Sequence, residues 1–219
     1  MLTYEQVTHN EAIKTYIIRA DESLAALGYT EHSFAHVVHV ANMAGYILTT
    51  LGHDAHSVEL AKIAGYLHDI GNLANRKDHS QSGAVMAYSI LNDMGCDPGD
   101  IATIVTAIGN HDEGTGVPVN AVAAALILAD KADVRRSRVR NKDMATFDIH
   151  DRVNYSVEKS ALKINEEKTM VILALTVDTQ FGSVMDYFEI FLGRMLLCRK
   201  AADKLGLKFK LIINDQQLV

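Results

Sequence analysis

The sequence has no tryptophan, two prolines and two cysteines in 219 residues, and it lacks both a basic excess and a long apolar run. Cys96 and Cys198 are too few for a disulfide framework or a cysteine-rich zinc site. With 21 Lys and Arg against 27 Asp and Glu, the formal charge is -6, which argues against a general nucleic-acid-binding face unless the basic residues cluster. The apolar run Ala121–Ala129 is far too short to cross a bilayer, and the opening MLTYEQVTHN has no basic-then-apolar leader, so a cytoplasmic chain without membrane contact is expected. A composition that is 48% hydrophobic and 22% charged is that of a folded domain rather than a disordered one. What the chain does have is histidine, ten in all.

Glycine stops divide the first two-thirds into helices. The spacing predicts helices over 4–27 and 30–51, closed by Gly28 and Gly52, then 57–70 ending before Gly71 and 80–94 ending before Gly95. Phe34, Val37, Val38, Ala41, Ala44, Leu48 and Leu51 form one buried stripe. Asp97-Pro98 opens a helix to Asn110, and a further helix is expected from Asn120 to about Arg136. Near Asp148 the pattern changes. Val153, Tyr155 and Val157 alternate with polar residues, residues 169–178 are β-rich, 181–205 return to helical spacing, and 208–213 read as a short strand. The expected fold is mainly α, with a helical domain over 1–147 and a small ββαβ unit over 148–219.

The candidate site residues are His36, the His68-Asp69 pair, His79, His111 and Asp130. His36 lies about 110° from the centre of its apolar stripe, at the core's edge, whereas His39 lies nearly opposite the stripe. Adjacent helical side chains diverge by about 100°, so His68 and Asp69 reach one centre only at a helix end or beside two ions. His79 and His111 also stand at helix ends, where several helices converge. Asp130 emerges from the Ala121–Ala129 run, and a carboxylate there needs either a metal or a salt bridge to Lys131, Arg135 or another basic residue. Nitrogen and oxygen donors without thiolates suit Mn, Fe, Co or Ni, with Mg as a further candidate. His9, His32, His53, His56 and His150 read as surface residues.

In their order, His36-Val37-Val38-His39, Leu67-His68-Asp69-Ile70-Gly71 and Leu128-Ala129-Asp130 resemble the HD-domain superfamily of metal-dependent phosphohydrolases over roughly residues 30–137. Asp78-His79-Ser80 and Asn110-His111 resemble the additional histidines of its two-metal members, and the order of ligands is similar to that of bacterial diadenosine tetraphosphate hydrolases. The resemblance implies one metal held by His36, His68, Asp69 and Asp130, with Asp69 bridging to a second held by His79 and His111.

The implied chemistry is hydrolysis of a phosphate ester or phosphoanhydride in a nucleotide or related small phosphate, by a water or hydroxide bridging two divalent ions. His68 and Asp69 are expected to be catalytic, with Arg135 as a phosphate clamp. Arg135 belongs to a basic cluster, Lys131, Arg135, Arg136, Arg138, Arg140 and Lys142, part of which shares one face if the helix continues beyond Asp130. A solvated face or a salt-bridge network with the tail is the other reading of that cluster. The alternative to an enzyme is a nucleotide-sensing module with a metal-bound, weakly active or inactive site. Strand edges in the ββαβ unit point to a homodimer.

Overall fold

The computed structural model describes residues 2–218. A short helix α1 (Tyr4–Thr8) precedes α2 (Glu11–Ala26), α3 (Phe34–Leu51) and α4 (Ala55–Leu67). A 3₁₀ turn (Ile70–Leu73) then leads to α5 (His79–Asp93), α6 (Pro98–Gly109) and α7 (Ala121–Lys131). After an irregular stretch come α8 (Ile149–Ser156), β1 (Val157–Ile164), β2 (Met170–Val177), α9 (Val184–Lys204), β3 (Lys208–Ile213) and β4 (Gln216–Gln217). The helical region and the C-terminal α+β unit follow the expected fold class.

Polar caps set most helix starts. Asn10, Asp54, Asp97 and Asn120 each accept backbone N–H groups of the first turn, and Thr3 and Ser183 form full capping boxes. The single helix expected over 4–27 is two helices, because Asn10 caps a second start. Likewise Val153 and Tyr155 lie in α8 rather than in a strand, where Asp148 caps the helix and strand structure begins at Val157.

Helix α7 is central. Residues Val122 to Ala129 are all buried, so the helix is apolar on every side, and α3, α4, α6 and α9 all pack on it. Helix α3 has the length and apolarity to cross a bilayer, yet it packs against α4 and α7 and carries the buried His36 into the core. Small residues permit the closest approaches. A Cβ on Gly65 would stand 2.7 Å from the Ala41 Cα, and one on Gly71 would stand 2.0 Å from the His79 carbonyl oxygen. These two glycines press α4 onto α3, and the turn after α4 onto the start of α5.

The sheet order is β1-β2-β3-β4. β1 and β2 form an antiparallel hairpin, β3 joins β2 in parallel after the α9 crossover, and β4 pairs antiparallel with β3. Val171, Leu173 and Leu175 alternate inward from β2 and join the same hydrophobic core as the helices.

The packing predicts opposite outcomes for two helical glycines. Gly65→Ala should destabilise by about 1–3 kcal/mol through overpacking, while Gly193→Ala, which meets nothing within 4 Å, should stabilise by about 0.5–1 kcal/mol. Urea unfolding midpoints check both, and a neutral Gly65→Ala would refute the close α3–α4 contact.

Candidate metal centre

Six polar side chains converge from five places in the fold. His36 comes from α3, His68 and Asp69 from the end of α4, His79 from the first residue of α5, His111 from just beyond α6, and Asp130 from α7. The four histidines and Asp69 are buried within the core. Asp69 stands where α4 ends, and Asn72 fixes it by donating its amide to both the Asp69 carbonyl and Oδ1, each at 2.9 Å. Asp78 adopts a left-handed backbone (φ 58°), which turns the chain into α5 and aims His79 inward.

The imidazoles are oriented alike. His36 Nδ1 donates to Asp133 Oδ2 at 2.7 Å, His68 Nδ1 to the Gly65 carbonyl at 2.8 Å, His111 Nδ1 to the Ile108 carbonyl at 2.6 Å, and His79 Nδ1 to the Arg76 carbonyl at 3.1 Å. These acceptors are all oxygens without a proton, so each Nδ1 carries a proton and each Nε2 presents a lone pair when its ring is neutral. The lone pairs face one another: His36 and His68 Nε2 are 3.2 Å apart, as are His79 and His111 Nε2. Two acceptors cannot bond to each other, so a proton or another cation must lie between them.

The carboxylates complete the arrangement. Asp69 Oδ2 lies 3.4 Å from His36 Nε2 and 3.3 Å from His68 Nε2, and it is buried without a hydrogen-bond partner. Asp69 Oδ1 lies 3.5 Å from His79 Nε2, so one carboxylate spans both imidazole pairs. Asp130 Oδ1 is 3.4 Å from His36 Nε2 and 3.6 Å from His68 Nε2. Ligand atoms around a divalent ion with bonds of about 2.1 Å lie about 3.0–3.4 Å apart. The orphaned oxygen, facing lone pairs and spacing therefore fit such an ion. In two overlapping groups, His36/His68/Asp130 and His68/Asp69/His111, the ligand atoms all lie within 4.8 Å of one another.

Charge is distributed accordingly. Burial opposes ionisation of Asp130, but Lys131, His36 and His68 hold it well below the usual carboxylate range. Asp69 is held low in the same way, by His68 and His32 against burial. Burial would lower His68, yet Asp69 and Asp130 outweigh it and push the imidazole up to about 10. Burial keeps His111 well below its ordinary value. Of the two readings left open by the sequence, the salt bridge is present: Asp130 Oδ2 is paired with Lys131 Nζ at 2.7 Å, which leaves Oδ1 facing His36 and His68.

A cavity of about 540 Å³ opens onto Asp69, His79, His111 and Asp130. Arg76, Lys131, Arg138 and Arg194 contribute positive charge to its walls. Arg135 is not among the lining residues. Helix α7 stops at Lys131, Asp133 turns inward to His36, and the extended Arg135 bonds to Asp133 Oδ1 at 2.8 Å and Ser137 Oγ at 2.8 Å, beside Glu31. The basic cluster therefore shares no helix face. Arg136 binds the Tyr155 carbonyl, Arg138 the Glu31 and Asp133 carbonyls, and Arg140 Asp21, so the cluster ties loops together.

His32 also departs from the surface role expected of it. Its side chain is 11% exposed, its Nδ1 bonds the Thr30 carbonyl, and its Nε2 points toward Asp69 Oδ2 at 4.0 Å. Its position four residues before His36 was the available signal, but Ser33 caps α3 between them, so helical spacing did not apply. Asp133, three residues after Asp130, was legible as a second acidic residue but not as the partner of His36.

The family model for the HD domain matches residues 33–152, more than half of the chain, and the chain belongs to that family. Its members are generally metal-dependent phosphohydrolases. An uncharacterised protein of Methanocaldococcus jannaschii is 26% identical over 195 residues, covering 78% of this chain and 74% of that protein. Ribonuclease Y 1 of Pediococcus pentosaceus is 33% identical over 122 residues, which are 54% of this chain but only 21% of the ribonuclease. A predicted HD superfamily hydrolase from an uncultured Thermotogales bacterium aligns with 58% of this chain and 69% of its own, at 25% identity and a TM-score of 0.46. The family match supports the HD domain, while the closer likeness to diadenosine tetraphosphate hydrolases is not shown.

The orientation of His36 by Asp133 can be tested directly. Asp133→Asn should weaken divalent-ion affinity about 10–100-fold, because the imidazole loses its carboxylate partner. Competition titration against a chromophoric chelator measures it, and unchanged affinity would remove Asp133 from any role in metal binding.

Proposed function

We propose that this protein is a divalent-metal-dependent hydrolase of phosphate ester or phosphoanhydride bonds in a nucleotide or related small phosphate. His36, His68, Asp69 and Asp130 would hold one ion, and His79, His111 and the bridging Asp69 a second. The observation that carries this reading is the pair of facing Nε2 contacts at the two oxygens of Asp69, His36 and His68 at the unpartnered Oδ2 and His79 at Oδ1. Such ions acidify water and neutralise phosphate oxygens. Fe, Mn, Co, Ni and Mg are the candidates for a set of nitrogen and oxygen donors.

The chain's own part is preorganisation. The Gly65 and Ile108 carbonyls and Asp133 hold the Nδ1 protons, so the donor nitrogens need no reorientation. Lys131 neutralises the outer oxygen of Asp130 and is itself buried. Arg76, whose Nη1 bonds Asn72 Oδ1 at 3.2 Å, lies 3.8 Å from Asp69 Oδ1 and supplies positive charge at the cavity wall. Phosphoryl transfer relies on positioning and charge stabilisation, which this arrangement offers without a nucleophilic side chain. The ribonuclease relatives bring oligoribonucleotides into consideration as substrates, although this chain spans a fifth of their length.

Elemental analysis of protein purified without added metal should find about two ions per chain in wild type and few in Asp69→Ala, as expected of a bridging carboxylate. Turnover should then be sought over nucleotides, dinucleoside polyphosphates, short oligoribonucleotides and a chromogenic phosphate ester, with loss on chelation. Turnover that survives both chelation and Asp69→Ala would overturn the mechanism. Tight nucleotide binding without turnover in metal-replete protein would replace the enzyme by a sensor.

A further inference from the structure

Helix α9 lies beyond the family match, yet two of its residues, Phe191 and Arg194, line the cavity that holds Asp69, His79, His111 and Asp130. Arg194 is the one charged residue in the stretch Phe191–Leu197, where ionisation has to be compensated. The compensation is a run of alternating charges. Arg194 Nε donates to Glu113 Oε1 at 2.9 Å, Glu113 Oε2 meets Lys131 Nζ at 2.7 Å, and Lys131 Nζ meets Asp130 Oδ2 at 2.7 Å. The guanidinium also lies 4.3 Å over the Phe191 ring. Glu113 and Phe191 thus fix its plane, while its two terminal nitrogens make no hydrogen bond among the described residues.

Two of the other cations at the cavity are more heavily committed. Lys131 is clamped between Asp130 and Glu113, and Arg138 bonds two backbone carbonyls. Arg76, like Arg194, makes one side-chain hydrogen bond, but that bond takes a terminal nitrogen, Nη1, to Asn72 Oδ1, whereas the bond of Arg194 takes its Nε. Arg194 presents an oriented fork of donors on the wall of a site whose other pole is the proposed metal centre. Such a fork matches two oxygens of one phosphate.

We infer that Arg194 is a substrate-binding residue of this site: its terminal nitrogens hold a phosphate group of the substrate, so α9 completes the pocket rather than forming a separate module. The inference rests on the phosphohydrolase reading for the identity of the substrate, but not for the binding of the anion.

The test is calorimetric titration of manganese-loaded protein with inorganic phosphate, in wild type, Arg194→Gln and Arg194→Lys, with metal content measured for each. Arg194→Gln should weaken phosphate binding about tenfold or more at unchanged metal content, and Arg194→Lys, which keeps the charge but not the fork, about threefold or more. For any ester that wild type turns over, KM should rise by a similar factor with kcat within about threefold. A purely structural Arg194 would leave phosphate affinity unchanged in the folded variants. If Arg194→Gln does not fold, Arg194→Lys decides. Wild-type affinity in the deciding variant overturns the inference, as does a wild type that binds no phosphate. Metal-dependent turnover with unchanged phosphate affinity in the variants keeps the hydrolase and removes Arg194 from its site. Weakened phosphate binding in a protein without turnover keeps Arg194 as an anion anchor and removes the hydrolase.

Discussion

The convergence of imidazole lone pairs on Asp69 is the constraint to which the helical framework answers. Facing Nε2 atoms and a buried carboxylate oxygen without a partner among the described residues are costly, because an acceptor withdrawn from water needs a donor. The cost falls away when a cation takes the centre. Without one, the carboxylates favour protonation of His68 and His36, but burial disfavours it at His79 and His111, so the second pair of facing nitrogens is left without a donor. The tautomers are not free to adapt either, since every Nδ1 proton is bonded to a fixed oxygen. Preorganisation for a cation is therefore written into the backbone as much as into the ligands.

The framework delivers these atoms by ending helices in the right places. Among these six, only His36 lies away from a helix end; His68, Asp69, His79, His111 and Asp130 stand at or beside helix ends. At an end, neighbouring side chains escape the divergence of helical geometry, which is how consecutive His68 and Asp69 reach one centre. The glycines at 65 and 71 matter for the same reason. They let α4 and its terminal turn approach α3 and α5 closely enough for the donors to meet. Helix α7, buried from Val122 to Ala129, then acts as the floor, carrying Asp130 at its end.

The six donors were legible in the sequence because their context was improbable by chance: histidines at helix boundaries and an aspartate issuing from an unbroken apolar run. Their partners were less legible because tertiary contacts choose them. Arg135 was expected to follow Asp130 around a continuing helix. In the fold, Asp133 is drawn to His36, the helix stops, and Arg135 follows Asp133 away from the cavity. His32 was set aside as a surface residue for want of a matching context; it precedes the Ser33 cap, outside α3, and reaches Asp69 from the loop. The alternation of Val153, Tyr155 and Val157 suited a strand locally, but the Asp148 cap and packing made most of it helix.

Arg194 shows that the reasoning used for Asp130 extends to the tail. Both are charged residues set in apolar helical sequence, and in the fold they are the two ends of one ladder, Asp130–Lys131–Glu113–Arg194. A ladder of this kind lowers the cost of burying each member by giving it opposite charges on the sides that lack solvent. It also has a direction. Asp130 Oδ1 faces His36 and His68 at the inner end, whereas the terminal nitrogens of Arg194 stand uncommitted at the outer end. The acidic end is suited to cations and the basic end to anions, and a phosphate bound between the two poles would meet opposite charge on both sides. The helix after β2 is therefore joined to the metal centre by electrostatics as well as by the shared core, and the chemistry proposed for the HD region depends on sequence that the family match does not include.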